Sequence, residues 1–152
     1  MSLDIRSILD AMASHAMASG LFETVNRHEP KSKPGNGITA AIWPQTIRPT
    51  PRGSGLISTT SRVELTVRLY SPMLSEPQDD IDPALVGACD SLMAAYSGDF
   101  TLGAIIKEID LLGEYGEPLS ARAGYLNIDG KIFRIYDVTV PVIVNDLWTQ
   151  GE

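Results

Sequence analysis

The sequence predicts an α+β domain with helices packed on one face of a mainly antiparallel sheet of about four to six strands. The first observation behind this prediction is the strict alternation of apolar and polar residues over 62–70, which is typical of a half-buried strand. The second is a stripe of apolar residues at helical spacing over 82–98. A one-sided strand and a one-sided helix bury each other's apolar faces, so we expect these two segments to form the core.

The helix over 82–98 has clear signals at both ends. Asp82 is the predicted N-cap, Pro83 suits the first helical position, and Gly98 is placed to end the helix. The predicted buried stripe consists of Leu85, Val86, Cys89, Leu92, Met93 and Tyr96. Because Cys89 is the single cysteine, the chain has no internal disulfide, and its place on the stripe predicts an inert buried thiol.

The first part of the chain predicts a second helix and two strands. Residues 3–19 form an amphipathic pattern that Ser2 can cap and Gly20 can close. Its expected apolar face is Ile5, Ile8, Leu9, Met12, Ala16 and Met17. Residues 21–28 and 38–47 favour strands, and the proline at position 44 indicates a sheet edge or a bulge.

Residues 48–61 are the most loop-like stretch, with small, polar and turn-forming residues throughout. We predict an extended loop or hairpin arm here. Long loops in compact domains tend to be functional, so we also expect this arm to make contacts in an assembly and to be poorly ordered in an isolated subunit.

The second half predicts further strands. Residues 101–112 fit either a helix or a strand, and their β-branched content favours a strand. Residues 125–136 form the clearest hairpin, across a type I′ turn at Asp129-Gly130. Its second strand continues over 138–140, where Pro141 predicts an end or a sheet edge. Residues 145–152 are expected to be a loose tail anchored by Trp148, and the whole of 1–152 to be a single domain.

The search for catalytic and ligand-binding motifs predicts neither an enzyme nor a cofactor. No serine lies in a Gly-x-Ser-x-Gly frame, and the one cysteine and two histidines do not have the spacing of zinc ligands. The acids Glu76, Asp79, Asp80 and Asp82 lack an EF-hand frame and are favourable near a helix N-terminus without a metal. No apolar run approaches the roughly 20 residues of a membrane helix, and no secretory signal precedes the first helix, so no membrane partner is expected.

The charge is divided unevenly along the chain. Residues 1–70 hold 8 basic and 5 acidic residues, a net charge of +3, and residues 71–152 hold 4 basic and 14 acidic residues, a net charge of −10; the sum is −7. The total argues against general affinity for nucleic acid. A basic half beside an acidic half indicates either complementary contacts between subunits or a solvated acidic surface.

Several segments of the chain resemble small tail proteins of long-tailed, siphovirus-type bacteriophages that infect actinobacteria. The resemblance covers most of the chain and is carried by the strand over 62–70 and by Asp82-Pro83-Ala84-Leu85, Leu92-Met93-Ala94-Ala95-Tyr96-Ser97-Gly98-Asp99-Phe100-Thr101-Leu102-Gly103, Asp110-Leu111-Leu112-Gly113 and Val140-Pro141-Val142-Ile143-Val144-Asn145-Asp146-Leu147-Trp148. The order of elements is similar to that of lambda-type tail terminators, which are α+β proteins that form a six-membered ring.

This resemblance implies a structural protein of the virion at the head-proximal end of the tail, assembled in the host cytoplasm. Its implied partners are itself in a ring, the tail tube protein and the head-connector or stopper protein, with DNA only passing through the ring. Another head–tail connector or neck subunit is the nearest alternative. A small enzyme or ligand-binding domain is the third, which a pocket with converging polar groups would favour.

A ring needs interfaces in which two different patches of the same chain meet. The charge division predicts that basic residues of one subunit face acidic residues of its neighbour or of the tube. The predicted basic residues are Arg27, Lys31, Lys33, Arg48, Arg52 and Arg62, and the predicted acidic residues are Glu76, Asp79, Asp80, Glu114 and Glu117. No individual functional residue follows from the resemblance itself.

Overall fold

A computed structural model describes residues 3–29, 37–50, 58–72 and 78–149 of the 152-residue chain. Two helices and six strands occupy these ranges. The helices are α1 (Ile5–Ser19) and α2 (Ile81–Gly98), and a short 3-10 turn, Gln78–Asp80, precedes α2. The strands are β1 (Thr24–Asn26), β2 (Thr39–Thr50), β3 (Ser58–Pro72), β4 (Glu108–Ile109), β5 (Ser120–Ile128) and β6 (Lys131–Thr149).

The strands form one sheet in the order β1-β2-β3-β6-β4, with β5 also paired to β6. β1 runs parallel to β2, and the other pairs are antiparallel. Both helices contribute to one core with a single face of the sheet. This is the predicted α+β architecture, a mainly antiparallel sheet with two helices on one face, and that prediction is confirmed.

The alternation in β3 is also confirmed. Its apolar side chains Val63, Leu65, Val67 and Leu69 are all fully buried. They pack with Val138, Val140 and Val142 of β6 and with the buried faces of the helices. Since successive side chains point to opposite faces, the polar residues of β3 lie on the face away from the helices.

α1 begins at Ile5, two residues after its predicted start at residue 3. The Asp4 carboxylate accepts a hydrogen bond from the Ser7 backbone N–H at 3.2 Å, so Asp4 is the N-cap in place of Ser2. Gly20 closes the helix with a positive φ of 70°, as predicted. Met17 is 52% exposed, which corrects the predicted face, because it lies about 100° around the helix from the buried Ala16.

α2 begins before the predicted Asp82 cap. Ile81 is the first helical residue and is buried, and Asp80 occupies the cap position without a side-chain capping bond. Asp82 instead accepts a hydrogen bond from Arg134 Nε at 2.9 Å. The predicted stripe holds for Leu85, Cys89, Leu92 and Tyr96 but is wrong for Val86, which is 49% exposed.

β6 continues past Pro141 to Thr149, so the predicted strand end is wrong. The Pro141 carbonyl accepts the Asp110 N–H at 2.8 Å, on the side of β6 that faces β4. In an antiparallel strand the N–H and C=O of one residue point to the same side. The N–H that Pro141 lacks would therefore point away from β3, so the pairing of β6 with β3 loses no hydrogen bond. Residues 145–149 are therefore strand and not a loose tail, and their buried anchor is Leu147, while Trp148 is 38% exposed.

Two other predictions in the second half have different outcomes. Of the strand predicted over 101–112, only Glu108–Ile109 pairs with β6, and residues 101–107 form turns in which Leu102 and Ile106 are nevertheless buried. The hairpin turn is confirmed, because Asp129 and Gly130 both have positive φ, at 52° and 80°, as a type I′ turn requires.

The arm predicted over 48–61 is a strand hairpin in the parts that the structure describes. β2 reaches Thr50 and β3 starts at Ser58, with Thr50 opposite Thr60. The register shifts between Pro44 and Thr46, which confirms the predicted bulge. Residues 51–57, and with them Arg52 and the predicted disorder of the arm, lie outside the described residues.

Candidate functional site

One end of the sheet face opposite the helices carries a cluster of charged side chains, and we call this end the polar face. It is formed chiefly by Arg48, Arg62, Glu64, Arg68 and Asp137. The strand register places them together, because Arg48 lies opposite Arg62 across β2 and β3, and Arg68 lies opposite Asp137 across β3 and β6. Residues directly opposite each other in paired strands share a face.

Arg62 is fully buried at the centre of this face. Its Nη1 donates to Asp110 Oδ2 at 2.7 Å, its Nε donates to Glu64 Oε1 at 3.2 Å, and its Nη2 donates to the Glu117 carbonyl. Asp110 is itself 2% exposed. A buried charge is tolerated only when it is paired with an opposite charge and hydrogen-bonded. The Arg62 guanidinium meets this condition, because three of its nitrogen atoms donate hydrogen bonds and two of the acceptors are carboxylates.

Asp110 also fixes the chain that follows β4. Its carboxylate accepts the backbone N–H groups of Glu114 at 2.7 Å and Tyr115 at 2.8 Å. Because Arg62 holds the same carboxylate and the carbonyl of Glu117, both ends of residues 110–118 are tied to the sheet. We call this segment the pinned loop. Charge-assisted hydrogen bonds are stronger than neutral ones, so a single carboxylate can order the loop.

Gly116 lies where the pinned loop crosses the buried guanidinium. Its φ is +152°, and a Cβ placed there would lie 3.0 Å from Arg62 Cζ. Both the backbone conformation and the lack of space therefore require glycine at this position. Lys107 lies three residues before the pinned loop, and its ammonium group donates a hydrogen bond to the Tyr115 hydroxyl at 2.9 Å.

Arg68 forms the second ion pair of the polar face. Its Nε and Nη2 donate to the two carboxylate oxygens of Asp137 at 2.6 and 3.1 Å, and its guanidinium stacks 5.2 Å from the centre of the Trp43 ring. The hydrogen bond from Arg68 to Asp137 raises the pKa of the guanidinium above its usual range. This bidentate geometry orients both side chains.

A groove of about 410 Å³ lies between these two ion pairs. Polar side chains line it throughout: Gln45, Glu64, Thr66, Arg68, Glu117, Ser120, Arg122, Asp137 and Thr139. Arg122 lies opposite Asp137 across β5 and β6 and is exposed. The groove thus combines hydroxyl groups with charges of both signs, which suits a small polar ligand better than an apolar one.

The other end of the same sheet face is apolar. Tyr70 and Phe133 meet edge to face with ring centres 6.4 Å apart, and Ala41 and Ile135 complete this buried cluster. Trp43 packs against the cluster from its border with the polar face. Burial raises the pKa of the Tyr70 hydroxyl, so the ring stays neutral and acts as a packing residue.

His15, Asp99 and Cys89 are titratable groups on the helix side of the molecule. His15 Nε2 and Asp99 Oδ2 are 2.8 Å apart and join α1 to the end of α2. The hydrogen bond with His15 lowers the pKa of Asp99. Burial raises the pKa of the Cys89 thiol to about 11, which agrees with the predicted inert thiol because the reactive thiolate is disfavoured.

The predicted interface residues lie in different parts of the molecule. Lys31, Lys33, Arg52 and Glu76 are outside the described residues. Asp79 and Asp80 are exposed before α2, and Glu114 and Glu117 are exposed on the pinned loop. The structure brings these last two into the same region as Arg48, which is exposed and pairs with Glu64 at 3.3 Å.

Of the basic residues predicted to contact a neighbouring subunit, Arg62 is not at the surface of this fold. The side chain is fully buried, and its partners Glu64, Asp110 and Glu117 belong to the same chain. Arg27 is exposed and pairs with Asp10 of α1 at 2.9 Å. Of the predicted basic residues, Arg27 and Arg48 therefore remain at the described surface.

Asp110 and Asp137 organise the polar face and are not among the site residues predicted from the sequence. Asp137 has no local signal, because only the pairing of β3 with β6 brings it to Arg68. Asp110 does have one: an acid between an apolar segment and a glycine-containing turn is a typical acceptor for the backbone N–H groups of that turn.

Within the described ranges, no group of three or more His, Cys, Asp or Glu side chains is placed to hold a metal ion. None of the helices described has the length and apolarity needed to cross a bilayer. No protein-family model matches the chain, and comparison with curated protein sequences finds no match.

Proposed function

We propose that this protein is a structural component of a bacteriophage virion, a tail terminator that forms a ring on the tail tube and presents a docking surface for the head connector. The observation that carries the proposal is the fold. Two helices on one face of a mainly antiparallel sheet are the architecture that the resemblance to lambda-type tail terminators implies.

The surface of the molecule supports a function in binding. Large apolar side chains are exposed at separate places, among them Ile47 on β2, Phe100 after α2 and Leu112 on the pinned loop. Interfaces of permanent assemblies bury such side chains. In a terminator these residues supply contact area, and the charges around them set orientation and partner choice.

The test is growth arrest of tail tubes. Tail tube protein of the same phage is polymerised with and without this protein, and tube lengths are measured by electron microscopy. The proposal predicts that the tubes stop growing and carry added density at one end. Tubes that keep growing with bare ends would contradict it, and binding to the isolated head connector alone would favour the connector alternative.

A second candidate function is the binding of a small polar ligand, which the groove on the polar face favours. Arg68, Arg122 and Asp137 converge there with the hydroxyl groups of Thr66 and Thr139. Such convergence of polar groups in a concavity is typical of ligand sites. A zwitterionic or polyhydroxylated molecule would match charges of both signs.

This candidate is tested by thermal-shift screening of small polar metabolites against the wild type and the Arg122→Ala variant. Arg122 is exposed, so its replacement should leave the fold intact. A ligand that stabilises the wild type and not the variant would support the candidate. The absence of stabilisation by every compound at millimolar concentration would count against it.

A further inference from the structure

The pinned loop presents one apolar side chain to solvent. Leu112 is 93% exposed, the highest value for a large apolar side chain in the described ranges. It lies three residues after β4, at the opposite end of the strand order from β1. An exposed leucine on a segment ordered by buried charges costs less conformational entropy on binding than one on a flexible loop.

A groove lies at the other edge of the sheet, between α1 and β1. It has a volume of about 440 Å³ and is lined by Arg6, Leu9, Asp10 and Arg27. Leu9 is its apolar residue and is partly buried against the core, and Arg27 Nε lies 2.9 Å from Asp10 Oδ1. The groove is therefore a concavity lined by one apolar side chain, two arginines and one aspartate.

The loop and the groove match in shape and charge. Leu112 protrudes, and the groove has room for a leucine side chain above Leu9. The loop carries the exposed acids Glu114 and Glu117. The groove carries the exposed bases Arg6 and Arg27 and one exposed acid, Asp10, which pairs with Arg27, so its lining is net positive. Opposite potentials on two surfaces guide their association and fix their register.

We infer that the pinned loop of one copy of this chain inserts Leu112 into the groove between α1 and β1 of a second copy. The two patches lie at opposite edges of the sheet, so the contact is head-to-tail and each subunit keeps one loop and one groove for further copies. Repetition of such a contact closes a ring or extends a filament. This inference rests on the proposed ring and identifies the contact that would form it.

The test is cross-linking of a chain that carries Thr24→Cys on β1 and Glu114→Cys on the pinned loop, which leaves Leu112 and Arg6 in place, using a short bismaleimide at high protein concentration. The native Cys89 is buried and reacts slowly. The control chain carries Glu114→Cys with Ile132→Cys. Ile132 is also exposed but lies on the β5–β6 hairpin. We expect a ladder of dimers, trimers and larger species from the first chain and nothing beyond dimers from the control.

A ladder that is absent from both chains, or equal in both, would overturn the inference. The tube-growth assay separates this result from a failure of the proposed function. If the wild type arrests tube growth but no ladder forms and Leu112→Ser arrests growth equally well, the contact is wrong and the terminator function stands. If the ladder forms and the wild type does not arrest growth, the contact stands and the terminator function is wrong.

Discussion

The ion pair between Arg62 and Asp110 makes the most demanding prediction about stability. Arg62→Met removes a guanidinium whose side chain is fully buried and leaves the Asp110 carboxylate, itself 2% exposed, without its cationic partner. Breaking one side of a buried pair leaves an uncompensated charge and costs about 3–5 kcal/mol. The same change at Arg27, whose ion pair is about half exposed, should cost about 0–1 kcal/mol.

Urea unfolding of the purified variants measures this difference. Arg62→Met should lower the free energy of unfolding by several times the effect of Arg27→Met, with an unchanged dependence on denaturant. A double variant, Arg62→Met with Asp110→Leu, should be more stable than the sum of the two single effects predicts, because it removes both charges together. Additive effects would refute the reasoning, as would equal losses at Arg62 and Arg27.

Three further predictions concern single positions. Gly116→Ala should destabilise the fold by about 1–3 kcal/mol, because Gly116 has a φ of +152° and lies close to the buried Arg62 guanidinium. Gly87 is the control: it occupies an open position in α2, so Gly87→Ala should stabilise the fold by about 0.5–1 kcal/mol in the same urea assay. Leu92→Ala should cost about 2–5 kcal/mol and Ser91→Ala less than about 0.5 kcal/mol; equal losses would mean that the buried face of α2 is wrong. The folded-state pKa of Asp99 is lowered, so its contribution to stability is present above about pH 4 and is lost as the pH falls through that pKa. The urea midpoint of Asp99→Asn should therefore lie below that of the wild type at about pH 5, and the difference should shrink towards about pH 2. A difference that stays constant over this range would contradict the prediction.

Local patterns were sufficient to predict most of the fold. The alternation of β3 and the Asp129-Gly130 turn need only neighbouring residues, and the structure confirms both. Element ends were predicted less well, because they depend on tertiary contacts. Ile81 extends α2 because it is buried in the core, and Pro141 stays inside β6 because its missing N–H faces away from β3.

The polar face could be predicted only in part. The alternation placed Arg62 and Arg68 on the face away from the helices, but their partners come from distant parts of the chain. Asp110 is 48 residues from Arg62, and Asp137 is 69 residues from Arg68. Without the strand register, Arg62 resembled a surface base available to a neighbour, whereas Asp110 and the pinned loop bury it.

The central proposal is a ring of this chain at the end of a tail tube. Cryo-electron microscopy of tail tubes incubated with the protein tests it most directly, because it shows where the chain binds and how its copies are arranged. The account predicts a closed ring at one end of each tube, with the pinned loop of each subunit against α1 and β1 of the next. Bare tube ends, or single copies scattered along the tube wall, would contradict it.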